Sequence, residues 1–270
     1  MTTLVLGGTG KTGRRIASLL TRRGVSVRIG SRSARPPFDW TRPDTWDAAL
    51  DGVDAVYLSF YPDLALPGAA ETVAGFVDRA AGSGVRRLVL LSGRGEPQAE
   101  ISEETVRRSG LAWTVVRSSW FNQNFSEGFL LDAVLAGELA LPVGDAAEPF
   151  TDADDIAEAA AAALTDERHA GQTYELTGPR LLTFADAAAE IAKATGRPIG
   201  FAALRPAEFA AVLREQGLPE DLGELFHLIT DGRNAHVADG VQRALGRPPR
   251  DFADYARATA ASGAWDVAPR

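Results

Sequence analysis

The sequence predicts a doubly wound α/β fold, a parallel sheet covered by helices on both faces, with a smaller and mostly helical C-terminal lobe. Three observations predict it. Short apolar segments recur between helix-length amphipathic stretches along the N-terminal half of the chain. Those segments are continuously apolar instead of alternating, as strands buried on both faces are. A glycine-rich turn joins the first apolar segment to the first amphipathic one. With 270 residues, 45% of them hydrophobic, the chain has material for a large core.

Taken in order, "TLVLGG", "VSVRIGS", a short "FDW", "DAVYLSF", "RRLVLLS" and "AWTVVRS" read as strands. Between them "IASLLTRR", "DTWDAALDG", "AAETVAGFVDRAAGSG" and "ISEETVRRSG" read as helices that stop near glycine. "FTDADDIAEAAAAAL" opens a helix that Asp152, Asp154 and Asp155 favour at its N-terminus, through capping and the dipole, in preference to a metal site. "TYELTG" reads as a further strand, and "TFADAAAEIAKATG", "PAEFAAVLREQG" and "EDLGELFHLITDG" as further helices. The expected division is a nucleotide-binding domain over 1–150 and, over 151–270, a segment that completes the fold and forms a substrate lobe closing over the strand ends.

The turn "LVLGGTGKTGRR" contains Gly10-Lys11-Thr12, as a triphosphate-binding P-loop does. That loop also needs a glycine five positions earlier, where Val5 stands. The residues instead fit a dinucleotide fingerprint in two registers, Gly8-x-Gly10-x-x-Gly13 and Gly7-x-x-Gly10-x-x-Gly13, preceding a helix with Ile16, Leu19 and Leu20 at helical spacing. Gly7, Thr9, Gly10, Lys11, Thr12 and Gly13 are therefore expected to cradle a pyrophosphate. An NAD-specific site usually carries a carboxylate at the end of the second strand, but here the sequence reads Gly30-Ser31-Arg32-Ser33. An arginine between two hydroxyls suits a 2′-phosphate, so NADPH is the expected cofactor, with Asp39 near the adenine edge. By the strand-end rule Ser59, Phe60, Ser92 and Gly93 should also line the cofactor.

Other classes are disfavoured. Net charge is -8 without a basic run, which argues against non-specific nucleic-acid binding. Cysteine is absent, and His169, His227 and His236 have no metal-ligand spacing. With Leu4 already in a strand and no long apolar run, neither a signal peptide nor a membrane span is expected, and a cytoplasmic monomer or homodimer is. Of 28 basic residues, 26 are arginine, which with the abundant alanine looks like a GC-rich coding bias.

The segments "GGTGKTGRRIA", "VRIGSRS", "GVDAVYLSF", "GVRRLVLLSG", "RRSGLAWTVVRSSWFNQNF", "FTDADDIAEAAAAAL" and "LGRPPRDFADYA" together resemble the NmrA-like group of atypical short-chain dehydrogenase/reductases, over almost the whole chain. The resemblance implies a Rossmann-type fold and an NADPH-dependent reductase of quinones or carbonyls. The substrate would be an aromatic small molecule, for example a polyketide ketone in antibiotic biosynthesis. It also implies an alternative, a non-catalytic NADP-sensing regulator. Two departures stand out. Ser118 occupies a position where the family commonly has proline. The Tyr-x-x-x-Lys pair that protonates the product in most short-chain reductases is absent, because Tyr57, Tyr61, Tyr174 and Tyr255 are followed four positions later by Tyr61, Ala65, Gly178 and Thr259. This also disfavours a sugar-nucleotide epimerase. Ser92, Tyr61 and Ser118 are the expected catalytic groups near the nicotinamide, and Arg94, Trp120, Phe121, Asn122 and Phe150 the expected substrate contacts.

Overall fold

The computed structural model describes residues 1–215, 226 and 230–267. His227 and most of the helix expected at "EDLGELFHLITDG" lie outside the described residues.

In chain order the first elements are β1 (Thr2–Leu6), α1 (Lys11–Arg22), β2 (Ser26–Gly30), α2 (Trp46–Leu50), β3 (Ala55–Leu58), α3 (Ala69–Gly82), β4 (Arg87–Gly93), α4 (Pro97–Arg108) and β5 (Ala112–Ser118). There follow α5 (Asn124–Glu127), α6 (Leu131–Ala136), β6 (Glu138–Leu141), β7 (Ala147–Glu148), α7 (Ala153–Thr165) and β8 (Gln172–Leu176). The last are β9 (Leu182–Thr183), α8 (Phe184–Thr195), β10 (Gly200–Ala203), α9 (Pro206–Glu215), α10 (Gly240–Leu245) and α11 (Phe252–Ala261).

The chain forms two compact units. Unit 1 comprises 1–118, 153–176 and 239–247, and unit 2 comprises 119–152, 177–238 and 248–270. The division is interleaved and differs from a single cut at residue 150: α7, β8 and α10 return to the first unit, where β8 extends the sheet beside β5.

Unit 1 is a six-stranded parallel sheet in the order β2-β1-β3-β4-β5-β8, flanked by helices that pack in pairs, α1 on α7 and α3 on α4. Every residue of β3 is buried, as a strand covered on both faces requires. The order reverses between β1 and β3, and ligands of such sheets sit beyond the carboxyl ends of the strands at that switch point. One expected strand is missing. "FDW" forms no strand, because Pro36 and Pro37 remove two N–H donors from its approach and the aromatic rings find a better use. Phe38 is buried against Trp46 and Phe76, the Trp40 indole donates to the Ser59 carbonyl at 3.2 Å, and the Trp46 indole to the Asp39 carbonyl at 2.9 Å. The segment is thus an aromatic plug, and β2 is the sheet edge.

The glycine turn is set by two requirements. Gly7 has φ 63°, a left-handed conformation that a side chain disfavours. Gly13 allows α1 to lie directly on the turn, since a Cβ there would collide with the Gly7 carbonyl oxygen. Buried Tyr57 of β3 adds a hydrogen bond of 2.9 Å to the Thr12 hydroxyl, tying the start of α1 to the sheet.

Unit 2 has its own core, built around Phe125, Phe150, Phe184, Phe252 and Trp265, with two short strand pairs, β6 with β10 and β7 with β9. Helix α8 begins with a capping box in which Thr183 and Asp186 satisfy each other's backbone N–H. The Trp265 indole donates to the Phe125 carbonyl at 2.9 Å and Tyr255 to the Ser126 hydroxyl at 2.8 Å, so the C-terminal stretch is locked onto this core.

The close approach at Gly13 is testable. Gly13→Ala forces α1 away from the turn, and overpacking of this kind costs about 1–3 kcal/mol. A fall of several degrees in the thermal midpoint is expected, measured by circular dichroism against Gly24→Ala, where an added Cβ would meet nothing nearby but φ is 74°. The control therefore carries backbone strain without collision.

Candidate functional site

The first turn of α1 faces the switch point with an unusual chemistry for a helix start. Its N-cap is Gly10, no side chain caps it, and no acidic residue lies in the first turn. The positive end of the helix is therefore left for an anion from outside. Beside it a cleft of about 580 Å³ runs along β1 and β2, lined by Thr9, Ser31, Ser33, Ala34 and Arg35 among others. Arg32 is exposed at the end of β2, and Ser31 and Ser33 place their hydroxyls 3.4 Å apart. Uncapped helix end, hydroxyls and guanidinium groups suit a phosphorylated dinucleotide, so the residues fit the expected group. Arg35 was not singled out in the sequence, because it lies two positions beyond the motif and precedes two prolines.

Of the other expected cofactor residues, one has a different role. Thr12 is buried and its hydroxyl accepts from Tyr57, so its side chain serves the contact between α1 and β3 and not a ligand. Asp39 accepts from the Thr41 backbone and hydroxyl, both at 2.9 Å; these bonds, together with the charges of Arg32 and Arg42, hold its carboxyl below the usual range despite burial. Ser59 and Phe60 follow β3, with Phe60 half-buried against Trp40 at 4.9 Å. Lys11 is half-buried at the helix start, and its carbonyl accepts from Arg15 at 2.8 Å.

The ends of β4 and β5 hold a buried charge network. Glu103 of α4 is fully buried, bonded to Arg117 at 2.6 Å and to Arg107 at 2.7 Å, and Arg117 reaches on to Glu175 at 2.8 Å. Burial pushes the Glu103 carboxyl up, but hydrogen bonds from Arg117 and Ser92 and the charges of Arg117 and Arg107 outweigh it and keep the group ionised below its ordinary range. This network corrects two expectations. The Ser92 hydroxyl donates to Glu103 at 2.7 Å, so its one proton is directed away from any substrate oxygen. Arg94 is buried, with its guanidinium 3.7 Å from Glu175, and belongs to the same network. Ser118 is also buried, and its carbonyl accepts from the Arg94 N–H at 3.1 Å.

Three of the four tyrosines are engaged elsewhere. Tyr57 and Tyr255 are buried and pushed far above the ordinary phenol range, chiefly by burial, and Tyr174 lies 2.8 Å from His169. Tyr61 is 70% exposed. A carboxyl that sequence reasoning passed over stands nearby: Glu96, between β4 and α4, half-buried over Gly93. Burial pushes it up to about 8, and the like charges of Asp63 and Glu103 add to the shift. Its place just before Pro97 reads as an ordinary helix start, and the only available signal was the lack of a cation one turn on, where Glu100 stands.

In unit 2, Phe150 is a core residue packed on Phe125, Phe184 and Phe252, which corrects its assignment as a substrate contact. Trp120 packs on Phe129, Phe184 and Phe226, and Phe121 bridges to Thr151. Asn122 is fully buried with both side-chain amide atoms unpartnered among the described residues. Asp152 accepts from Gln123 at 3.0 Å; in unit 1, Asp154 pairs with Arg15 at 2.7 Å and Asp155 with Arg247 at 2.7 Å. Among the described residues no group of three or more His, Asp or Glu suits a metal ion, and no helix is long and apolar enough to cross a membrane.

The comparisons with known proteins bear on the family and the fold. No family model matches the chain. It is 31% identical to prestalk A differentiation protein A of Dictyostelium discoideum, over 96% of this chain and 92% of that one. It is 32% identical to an NAD(P)H azoreductase of Xenophilus azovorans over 96% and 98%, and 33% identical to agroclavine dehydrogenase of Claviceps fusiformis over 94% and 96%. Among solved structures, an NADPH-dependent quinone oxidoreductase from Escherichia coli, complexed with NADPH, superposes with a TM-score of 0.78 at 21% identity, covering 95% of this chain and 98% of that one. An NmrA mutant superposes with a TM-score of 0.68 at 16% identity, covering 94% of each.

The Glu103 network carries its own prediction. Glu103→Gln removes the buried counter-ion shared by Arg117 and Arg107 and leaves Arg117 with Glu175 alone, a loss of about 3–5 kcal/mol measured by denaturant unfolding. Because the folded-state carboxyl lies below its ordinary value of 4.5, the stability it confers is complete above that pH and disappears as pH falls through the lowered value. The difference between wild type and variant should therefore shrink on acidification below about pH 4.5.

Proposed function

The chain belongs to the NmrA-like atypical short-chain dehydrogenase/reductase family, and from that membership we infer that it is an NAD(P)H-dependent oxidoreductase. Within that class we propose NADPH as the preferred donor and the carbonyl or quinone of an aromatic small molecule as the acceptor. The observation that carries the reading is the uncapped start of α1, at the reversal of strand order, with Ser31, Arg32 and Ser33 at the end of the neighbouring β2. The α1 turn would hold the pyrophosphate, and Arg32 with the two serine hydroxyls the 2′-phosphate, with Arg35 adding charge. When bound, the reduced nicotinamide supplies hydride. The chain's part is to orient the acceptor, exclude water and manage the proton.

The names of the relatives widen the acceptor class. One is named for azo compounds, one for agroclavine and one structural neighbour for quinones. A polyketide hydroxyaryl ketone is the particular acceptor we favour, since an internal phenol eases reduction of the adjacent carbonyl. Trp120, Phe121 and Asn122 are its proposed contacts, because Trp120 sits in an aromatic cluster and the buried Asn122 amide has hydrogen-bonding capacity to offer.

A dinucleotide-sensing regulator is the second reading. It is favoured by the engagement of Ser92 with Glu103, which takes one of the expected hydroxyl donors out of play. A panel of quinones, azo dyes and hydroxyaryl ketones separates the two. NADPH oxidation above background supports the reductase, and its absence across the panel supports the sensor.

Cofactor choice gives a sharper test. Wild type should bind NADPH more tightly than NADH, and Arg32→Ala should remove most of the preference, about ten- to a hundredfold in affinity for one charged hydrogen bond. Fluorescence titration of both cofactors measures it, and equal wild-type affinities would sink the assignment of Arg32. Tyr61→Phe, in contrast, should leave the single-turnover rate within about tenfold, because that exposed tyrosine has Ala65, not a lysine, four positions on.

A further inference from the structure

A carboxylate at the residue before a helix ordinarily turns back to accept the first backbone N–H groups, which lowers its affinity for protons. Glu96 occupies that position ahead of α4 in an extended conformation, φ -104° and ψ 100°, yet its side chain makes no cap. It folds back over the end of β4 instead, where only a glycine leaves room: a Cβ on Gly93 would collide with the Glu96 carboxyl. The nearby cations face elsewhere. Arg94 on its own loop lies toward Glu175, and Arg107 and Arg117 bind Glu103. The charges that act on Glu96 are acidic, those of Asp63 from the loop between β3 and α3 and of Glu103 from α4.

The end of β4 is next to the end of β3, so this carboxyl lies along the strand-end edge where a doubly wound sheet places its ligand. It is also the acidic group there that has no hydrogen-bond partner among the described residues, whereas Ser92 gives its proton to Glu103.

We propose that Glu96, held over Gly93 at the end of β4, is the proton donor of the reduction, taking the place of the absent tyrosine. The proposal rests on the reductase reading above. As hydride reaches the acceptor carbon, the carbonyl π pair moves onto oxygen, and the Glu96 carboxyl proton completes the O–H bond. The Glu96 carboxylate then recovers a proton from water. The chemistry needs a carboxyl that is still protonated at neutral pH. Burial pushes Glu96 up to about 8, and Asp63 and Glu103 reinforce this with like charge.

The sign of the pH dependence follows. A donor must be protonated to act, so the rate should be full below pH 8 and fall as pH rises through about 8. Single-turnover NADPH oxidation with an active quinone or ketone should show that limb in wild type. Glu96→Gln, which keeps shape and volume, should lose about 10²- to 10⁴-fold in rate, and the limb with it, while NADPH affinity and thermal midpoint stay unchanged. Glu96→Asp should recover part of the rate. Asp63→Asn removes one like charge and should move the limb to lower pH.

A readout independent of turnover is infrared difference titration of the cofactor-free protein. The protonated-carboxyl band should vanish through about pH 8 in wild type and be absent from Glu96→Gln. A Glu96→Gln enzyme with wild-type rate and limb, or a Glu96 carboxyl that titrates in the ordinary carboxylate range, overturns the proposal and leaves the reductase reading standing. A wild type that oxidises no acceptor of the panel removes the reductase reading and the donor role together.

Discussion

The closeness of α1 to the turn that precedes it is the constraint on which the nucleotide half of the molecule depends. A helix N-terminus acts on an anion only within its first turn, and it reaches that distance here because Gly13 rests directly on the Gly7 carbonyl. Tyr57 then fixes the helix start from the neighbouring strand by its bond to Thr12. A residue that looks like a ligand in the sequence is thus part of the scaffold that aims the helix. The order of strands puts this turn at the sheet's switch point, so the uncapped helix start and the strand-end crevice lie within one unit.

A second constraint is the buried carboxylate Glu103. An ionised group with no solvent exposure persists only when its lone pairs are taken up, and here Arg117, Arg107 and Ser92 take them. The network ties α4 to β4 and β5 and, through Arg117 and Arg94, to Glu175 of β8. Its consequence for chemistry is indirect. It commits the hydroxyl of Ser92 and the guanidinium groups of Arg107 and Arg117, while burial raises the proton affinity of Glu96 and of Asp63 and the Glu103 charge adds to that of Glu96. Stability at this edge of the sheet and reactivity at its surface are set by the same distribution of charge.

The core of unit 2 follows different rules. Unit 2 packs phenylalanines edge to face around Phe150 and Phe184, and a ring so enclosed serves the core whatever its position in a motif. Trp120 and Asn122 differ because each buries a polar atom without a partner, and burying such an atom has a free-energy cost that a bound group can relieve. That contrast separates structural aromatics from candidate contacts in "SSWFNQNF", which the order of residue types alone does not.

The parallel sheet, the glycine turn and the helices around them were legible in the sequence because each is a local pattern: continuous apolar runs, helical spacing and glycine where a carbonyl must come close. The expectation of a 2′-phosphate rests on a pattern of the same local kind, since Ser31-Arg32-Ser33 sits at a fixed offset from the turn. What the tertiary structure alone decided are pairings between residues far apart in the chain. "FDW" has the composition of a strand, but its rings are claimed by Trp46 and Phe76 and the Trp40 indole by Ser59. Ser92 looks like a donor until Glu103 is found beside it, and Glu96 looks like a helix cap until it is seen folded over Gly93. The physical reason is common to all three. Local sequence sets which backbone conformations are accessible, whereas the direction of a proton or a charge depends on partners that only folding brings within a few ångströms.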